Sequence, residues 1–394
     1  MKNLFLTLML LASGGMILAQ SNTSAVDQGG DANSAIVTQV GSANDSDVDQ
    51  TYGDNSATVD QNGASNKSIV SSRTTWSSLS NSVMVDQDGA DNVSVVQQFN
   101  GGNDAQIKSD GDNNSSLAQQ AGNGHLTTVD QIGDFNQSYA RIVSGTGSSH
   151  DVDQGGDNNL STIKSTGDSN LAQVNQQGNR NLSGADPTFS GPFGIEQDGD
   201  GNEAYLDARG DDNVTQVSQI GDDNSTTMEL GVFGGADRNA VNFAQDGNSN
   251  SLQTYMVRAQ DNSFNGTQNG DNNLFRVSLR GDDNTINMSA TGNSNRGSWG
   301  FSSAFPDESD MNTLDITQSG DSNITNGRVD GDMNDIDITQ SGNGNSVGTT
   351  WFASDGVNIL GNSNDVDVMQ GGMGHSSLNA ISGSNNTITV TQND

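Results

Sequence analysis

Residues 28–39 read QGGDANSAIVTQ and residues 39–50 read QVGSANDSDVDQ. Both obey Q-x-G-x-x-N-x-[AS]-x-V-x-Q, and Gln39 closes the first unit while opening the second. With the leading Gln as position 0, Gly falls at +2, Asn at +5, small or apolar residues at +7 and +9, and the next Gln at +11. The pairs Gly30/Asn33, Gly41/Asn44, Gly89/Asn92, Gly133/Asn136, Gly221/Asn224, Gly331/Asn334 and Gly383/Asn386 keep this clock across the chain. A fixed period of this kind has to be read before composition, because a repeating chain can stack into a core where a merely polar, Gly-rich one could not.

Apolar residues at +7 and +9 with polar ones between them have the period of a strand. SAIVTQ sets Ala35, Val37 and Gln39 on one face, and NTITVTQ sets Ile388, Val390 and Gln392 on one face. No stretch past the N-terminus shows a helical stripe. Gly at +2 suits a tight turn with positive φ. Asn at +5 suits a bond to nearby backbone or the left-handed region. Each unit is therefore a turn and a short strand, and two units close one coil.

Alternate units differ, so the true period is two units. One set of position-0 residues is nearly pure glutamine: Gln39, Gln61, Gln87, Gln131, Gln154, Gln176, Gln197, Gln219, Gln245, Gln268, Gln318, Gln340, Gln370 and Gln392, interrupted by Ser109 and Ala290. The other begins with Gln28 and Gln50 and turns apolar, through Ala208, Val257, Leu279, Val329, Ile359 and Ile381. The expected fold is all-β: a β-solenoid of about sixteen stacked strand-turn-strand coils of about 22 residues, parallel and in register, in the manner of amyloid. At the 4.8 Å spacing of paired strands the rod would be roughly 75–80 Å long.

Pairs such as Val83/Val85, Ile336/Ile338 and Val366/Val368 make a thin core, and the facing strand is poorer, with Ser46, Ser68, Ser94, Ser116, Ser138 and Ser161 at +7. Stacked amides supply the rest, since Asn and Gln ladders stabilise cross-β structures. The expected ladder comprises the fourteen glutamines above with Asn44, Asn92, Asn136, Asn159, Asn224, Asn273 and Asn334. A residue recurs on the clock so that it meets its own kind one coil later.

The spacing stretches between Gln61 and Trp76, Gln219 and Gly234, Ala290 and Asp307, and Gln340 and Ile359, and it shortens between Gln176 and Asp186. All these changes are expected in the half-repeat after the glutamine-rich set, giving one uniform edge and one tolerant edge. Trp76, Trp299 and Trp351 lie in or beside these stretches, as do Pro187, Pro192 and Pro306, and their aromatics read as loop packing or as contacts for sugars or other fibres.

Composition narrows the function. The 394 residues carry 14 Lys and Arg against 49 Asp and Glu, a net charge of −35, and no cysteine. Scattered cations offer no patch for phosphates, so nucleic acid is not an expected partner. Disulfides, thiolate metal sites and a Cys nucleophile are excluded. MKNLFLTLMLLASGGMILAQS, with Lys2 before the apolar Leu4 to Leu11 and small residues up to Ala19, reads as a secretory signal over residues 1–19. Residues 20–394 read as one exported repeat domain without a membrane span.

The pattern resembles the curlin repeat of the curli amyloid subunits, which bacteria secrete to build extracellular fibres. Gln154, Gly156, Asn159, Ser161 and Ile163, followed by Gly167, Asn170, Ala172, Val174 and Gln176, sit where that family places them. The resemblance implies a solenoid that polymerises end to end with itself into fibres at the bacterial surface, for adhesion and biofilm matrix. It further implies, as partners, a minor or nucleating curlin subunit, a secretion channel, and surfaces or polysaccharide. The chain departs from the family in its many coils, its insertions and its acidity. Main subunit, nucleating subunit and related adhesin all stay open.

No catalytic site and no cofactor are expected. His125 and His375 replace Asn at +5 and His150 stands at +7, as substitutions within the ladder. Asp157, Asp168, Asp211, Asp222, Asp271, Asp282, Asp321 and Asp332 each follow a turn Gly. They read either as gatekeepers that hinder premature association or as Ca²⁺ ligands. The second reading gives the alternative function, a monomeric acidic Ca²⁺-binding solenoid adhesin. The calcium β-roll, however, runs on a nine-residue clock.

Overall fold

The computed structural model describes residues 21–74, 79–185, 192–209, 212–231, 237–257, 259–301, 309–348 and 356–394. The signal segment expected over 1–19 lies outside them, as do Trp76, Asp186, Pro187, Asp211, Gly234, Pro306, Asp307 and Trp351.

The period-2 alternation makes every unit a strand, and the described chain winds as a β-solenoid between two parallel sheets. Sheet B has 16 strands, from Ser34–Ser42 to Thr387–Asn393. Sheet A runs from Thr23–Gly29 to Asn379–Ser382. It counts 18 pieces because its last two rungs are each split in two, as Ser346–Val347 with Val357–Leu360 and Ser376–Ser377 with Asn379–Ser382. Register is kept to the residue: Val37 lies opposite Val59, Val59 opposite Val85, and Val85 opposite Ile107. Each strand carries the same residue class as its neighbour, so a slip by one would turn the buried column outward.

The core is one layer between the sheets, and its filling changes along the rod. In the first third, Val48, Val59, Val70, Val85 and Val96 are fully buried beside Ser and Gln. Further on, large side chains enter and glycines make room. Trp299 pairs with Gly327 on the next rung, where an added Cβ would overlap the indole. Phe243 pairs with Gly266, where an added Cβ would crowd Leu252 most and then the Phe243 ring, and it meets Phe264 edge-on, with ring centroids 4.9 Å apart. Trp299 is thus a core residue of strand Arg296–Phe301, 2% exposed, and not the loop aromatic that its position beside an insertion suggests.

The tolerant edge is the opposite one from that expected. Gln50 lies opposite Ser72, Ala208 opposite Leu230, Leu230 opposite Met256, and Leu279 opposite Phe301. Ser72, Leu230, Met256 and Phe301 therefore hold the places assigned from spacing to Trp76, Gly234, Val257 and Asp307. The extra residues follow sheet A, on the way back to Gln87, Gln245, Gln268 and Gln318. The strand after Gln176 likewise stays in register through Ala185, opposite Ile163 and Leu206, so its missing residue lies beyond that point. Only the stretch between Gln340 and Ile359 behaves as expected: there the insertion splits the strand after Val347.

Candidate functional site

The chemistry of this molecule is spread along its columns. On the inner face of sheet B, Gln39 Nε2 donates to Gln61 Oε1 at 2.8 Å, and Gln61 donates to Gln87 at 2.8 Å. A second run links Gln131, Gln154, Gln176, Gln197, Gln219, Gln245 and Gln268, with each amide donating to the next at 2.8–2.9 Å. A third links Gln318, Gln340, Gln370 and Gln392 at 2.7–3.0 Å. The second amide hydrogen goes to a backbone carbonyl of the facing strand, as from Gln61 to Asp45 at 3.1 Å and from Gln219 to Glu203 at 3.0 Å. Both N–H groups of a buried primary amide are thereby satisfied, which is the condition for burying it.

The ladder has a direction: donors point toward higher residue numbers on every rung named. Its two breaks differ. At Ser109 the Gln87 amide turns to Ser94 Oγ at 2.9 Å, and Ser109 Oγ donates to Gln131 at 3.3 Å. At Ala290, the Gln268 amide nitrogen donates only to the Ser251 carbonyl, and Gln318 Oε1 is buried without a partner. In sheet A the amide column spans only the early rungs, through Gln28 to Gln50 at 2.7 Å and Gln98 to Gln120 at 2.9 Å. Ile142 then breaks it, Ser165 follows, and from Ala208 through Leu230 and Met256 the column is apolar. Two of the serines at +7 serve the opposite ladder, Ser94 by accepting from Gln87 and Ser116 by donating to Gln131 Oε1 at 2.6 Å, while the hydroxyls of Ser46, Ser68, Ser138 and Ser161 are buried without a partner.

The asparagines act differently from plain amide stacking. Asn44, Asn92, Asn136 and Asn159 accept the next rung's backbone N–H on Oδ1 at 2.9–3.0 Å. Their Nδ2 groups donate to the Gly63, Gly111, Gly156 and Gly178 carbonyls at 2.7–3.1 Å. From Asn224 onward, through Asn273 and Asn334, Nδ2 also reaches the preceding Asn Oδ1 at 3.0–3.1 Å, and a true amide ladder appears. The left-handed residue of each turn is not this Asn but its predecessor at +4, such as Ala43, Asp91, Asp223 or Met333. At Gly221 the constraint is double: φ is +104°, and a Cβ would overlap the Gly247 carbonyl.

The aspartates after the turn Gly form a third column that sequence reasoning missed as such. The Oδ1 of Asp157 accepts the Asp134 N–H at 2.8 Å, and Asp168 accepts that of Thr146 at 2.8 Å. Asp222, Asp271, Asp282, Asp321 and Asp332 do the same with the rung before, at 2.8–3.1 Å. These acids stitch turn to turn. The signal was present in the recurrence of Asp or Asn directly after Gly. Among the described residues no three His, Asp or Glu side chains gather as a metal ion needs.

His125 keeps the asparagine role, with Nδ1 accepting the Ser148 N–H at 3.1 Å, and the His375 backbone N–H donates to Asn345 Oδ1 at 3.0 Å. His150 sits among Thr127 and Ala172, its Nε2 2.7 Å from Ser165 Oγ. Burial pushes its pKa down to about 3, helped by His125, and burial lowers His125 as well. Burial raises Asp86, Asp151, Asp153, Asp335 and Asp337, with neighbouring aspartates adding to the rise at all but Asp151.

The family model of the curlin associated repeat matches residues 20–51, 145–178, 194–221, 310–342 and 361–393. The chain is a curlin-repeat protein. The matched stretches hold the regular rungs, and the insertions after Ser72, Leu230, Phe301 and Val347 fall between them. Compared with curated proteins, the chain matches none. A curlin repeat in a solenoid is structural rather than catalytic. Among the described residues no helix is long and apolar enough to cross a membrane.

The break at Ser109 is repairable. Ser94 and Ser116 flank it as Ser116 and Ser138 flank Gln131, so the space suits an amide. Ser109→Gln is expected to join the first two ladder runs and stabilise the early rungs by about 1 kcal/mol. Denaturant midpoints of the two proteins check this; a lower midpoint for the variant would show that the column does not act through its amides.

Proposed function

We propose that this curlin-repeat protein is a structural subunit that stacks end to end into extracellular fibres of amyloid type, for adhesion and biofilm matrix at the bacterial surface. The observation that carries the reading is the direction of the amide ladder together with the state of its outermost rungs. Ala35, Val37, Ile388 and Val390 are only partly buried, in columns whose other members lie inside. Strand Thr387–Asn393 and strand Ser34–Ser42 have matching classes at matching places, with Gln392 in the place of Gln39 and Val390 in that of Val37. Because each amide donates forward, two copies continue the ladder only head to tail. A minor or nucleating curlin subunit would seed such growth, and a secretion channel would deliver the chain.

The chain lacking residues 1–19 should form fibres with a meridional reflection near 4.8 Å. Preformed fibres should shorten the lag. A monomer that stays stable at high concentration and ignores seeds would refute the reading. The turn carboxylates already accept backbone N–H groups, so a chelator should leave the β-signal unchanged. A large loss on chelation would favour the monomeric Ca²⁺-binding adhesin instead.

A further inference from the structure

Five successive rungs of sheet A, Lys67–Arg73, Val93–Phe99, Ser115–Ala121, Gln137–Ile142 and Leu160–Ser165, contain no carboxylate. That is unexpected in a chain of net charge −35. Their outward positions carry Lys67 and Arg73 at one end and Arg141 and Lys164 at the other. Between them Ile69, Val95, Leu117 and Tyr139 stand in register as an unbroken, half-exposed apolar stripe. Arg73 reaches Asp49 on the rung before, at 3.5 Å, which marks the edge of the patch.

The sheet B strands of the same coils are the converse. Ser56–Ala64, Ser82–Ala90, Asp104–Asp110, Leu126–Ile132 and Ser149–Gly155 each present at least one aspartate, and Lys108 is their only cation. Asp60, Asp86, Asp130 and Asp153 share one column with Lys108. The two faces point in opposite directions from the shared core.

We propose that this cationic, apolar patch is a lateral docking surface for a second copy of the chain, which presents its acidic sheet B face at the same height. The contact is heterologous, because patch and acid column lie on opposite flanks of each rod. It therefore does not close into a dimer but repeats into an open stack of rods. At 4.8 Å per rung and about 3.3 Å per residue, the patch covers roughly 400–500 Å². About 1,000 Å² buried by both partners is the lower end of specific association. A single pair of rods is thus weakly held. Rods joined end to end repeat the contact once per copy and gain by multivalency. The proposal concerns the flanks and does not require end-to-end growth, so the two fail separately.

The test is carbodiimide coupling of lysine amines to carboxylates in an equal mixture of unlabelled and ¹⁵N-labelled chain, run on concentrated soluble protein and on any fibres. Peptides joining Lys67 or Lys164 to Asp60, Asp86, Asp130 or Asp153 of a differently labelled copy are expected. Their yield should fall about tenfold in 1 M salt, where the screening length is about 3 Å. A variant with Lys67→Glu, Arg73→Glu, Arg141→Glu and Lys164→Glu should leave rods single by electron microscopy. A variant with Asp60→Lys, Asp86→Lys, Asp130→Lys and Asp153→Lys should do the same. Mixing the two should restore side-by-side pairing, which a folding defect in either would prevent. Absence of these inter-copy peptides in the natural chain overturns the proposal, as does bundling that both variants retain. Capture of anionic phospholipid vesicles by the four cations while rods stay single would overturn it too.

Discussion

Gln219→Lys is expected to unfold the middle of the rod. Gln219 is fully buried. Its amide donates to Gln245 Oε1 at 2.9 Å, to the Glu203 carbonyl at 3.0 Å and to Thr226 Oγ1 at 3.2 Å, and its Oε1 accepts from Gln197 at 2.8 Å. An ammonium there meets acceptors on one side and a donor on the other, with no inward carboxylate to neutralise it. Burying the charge costs several kcal/mol, and Gln197 loses its acceptor, a further penalty of about 1–3 kcal/mol. Each coil touches only its neighbours, so the damage should spread rung by rung and fade. Hydrogen exchange should accelerate most in Pro192–Asp198, Val214–Ile220 and Ala240–Asp246 and least in Ser34–Ser42. Uniform protection equal to that of the natural chain would show that the ladder contributes little.

What the sequence shows and what it hides separate along physical lines. The period, the strands, the two sheets and the inward columns are legible because in-register stacking puts like on like. Gln197, Gln219 and Gln245 can be aligned by eye, and the structure bonds them. The side of the coil that takes insertions is not legible. Ser72 and Phe301 end their strands without a glutamine to mark them, and the turn that follows has lost its Gly landmark. Counting back from the next Asn therefore places the strand end too late, at Trp76 or Asp307. Trp299 is hidden for a related reason. Its place in the core depends on Gly327 one coil later, a pairing across rungs that proximity to an insertion obscures. The turn aspartates read as surface charge because sequence shows their acidity. Their geometry, an oxygen 2.8 Å from the backbone N–H one coil back in the case of Asp157, depends on the stack.

Acid should loosen the first half of the rod through His150. Its unfolded pKa is about 6.5 and its folded one about 3, so below pH 6.5 the unfolded chain binds the proton that the fold refuses. Stability must then fall as pH falls, from about 6.5 down to about 3, by about 4–5 kcal/mol in all and by about 2 kcal/mol at pH 5. The carboxylates oppose this only later. Asp151 and Asp153, on the same strand, are held above their ordinary range by burial, so acid relieves them, but that gain begins where carboxylates titrate. Between pH 6.5 and 5 the histidine therefore governs. His150→Thr repeats the residue of the preceding rung, Thr127, and removes the titrating group. Exchange protection of Leu126–Ile132, Ser149–Gly155 and Leu171–Gln177 should drop between pH 7 and pH 5 in the natural chain and hold nearly constant in the variant. Local readout is needed because a long repeat array need not unfold in one step. His125, whose Nδ1 accepts the Ser148 N–H and would lose that bond on protonation, should leave a smaller residual dependence in the variant. Equal acid sensitivity in the two proteins would mean that a buried neutral His150 is not the titrating element.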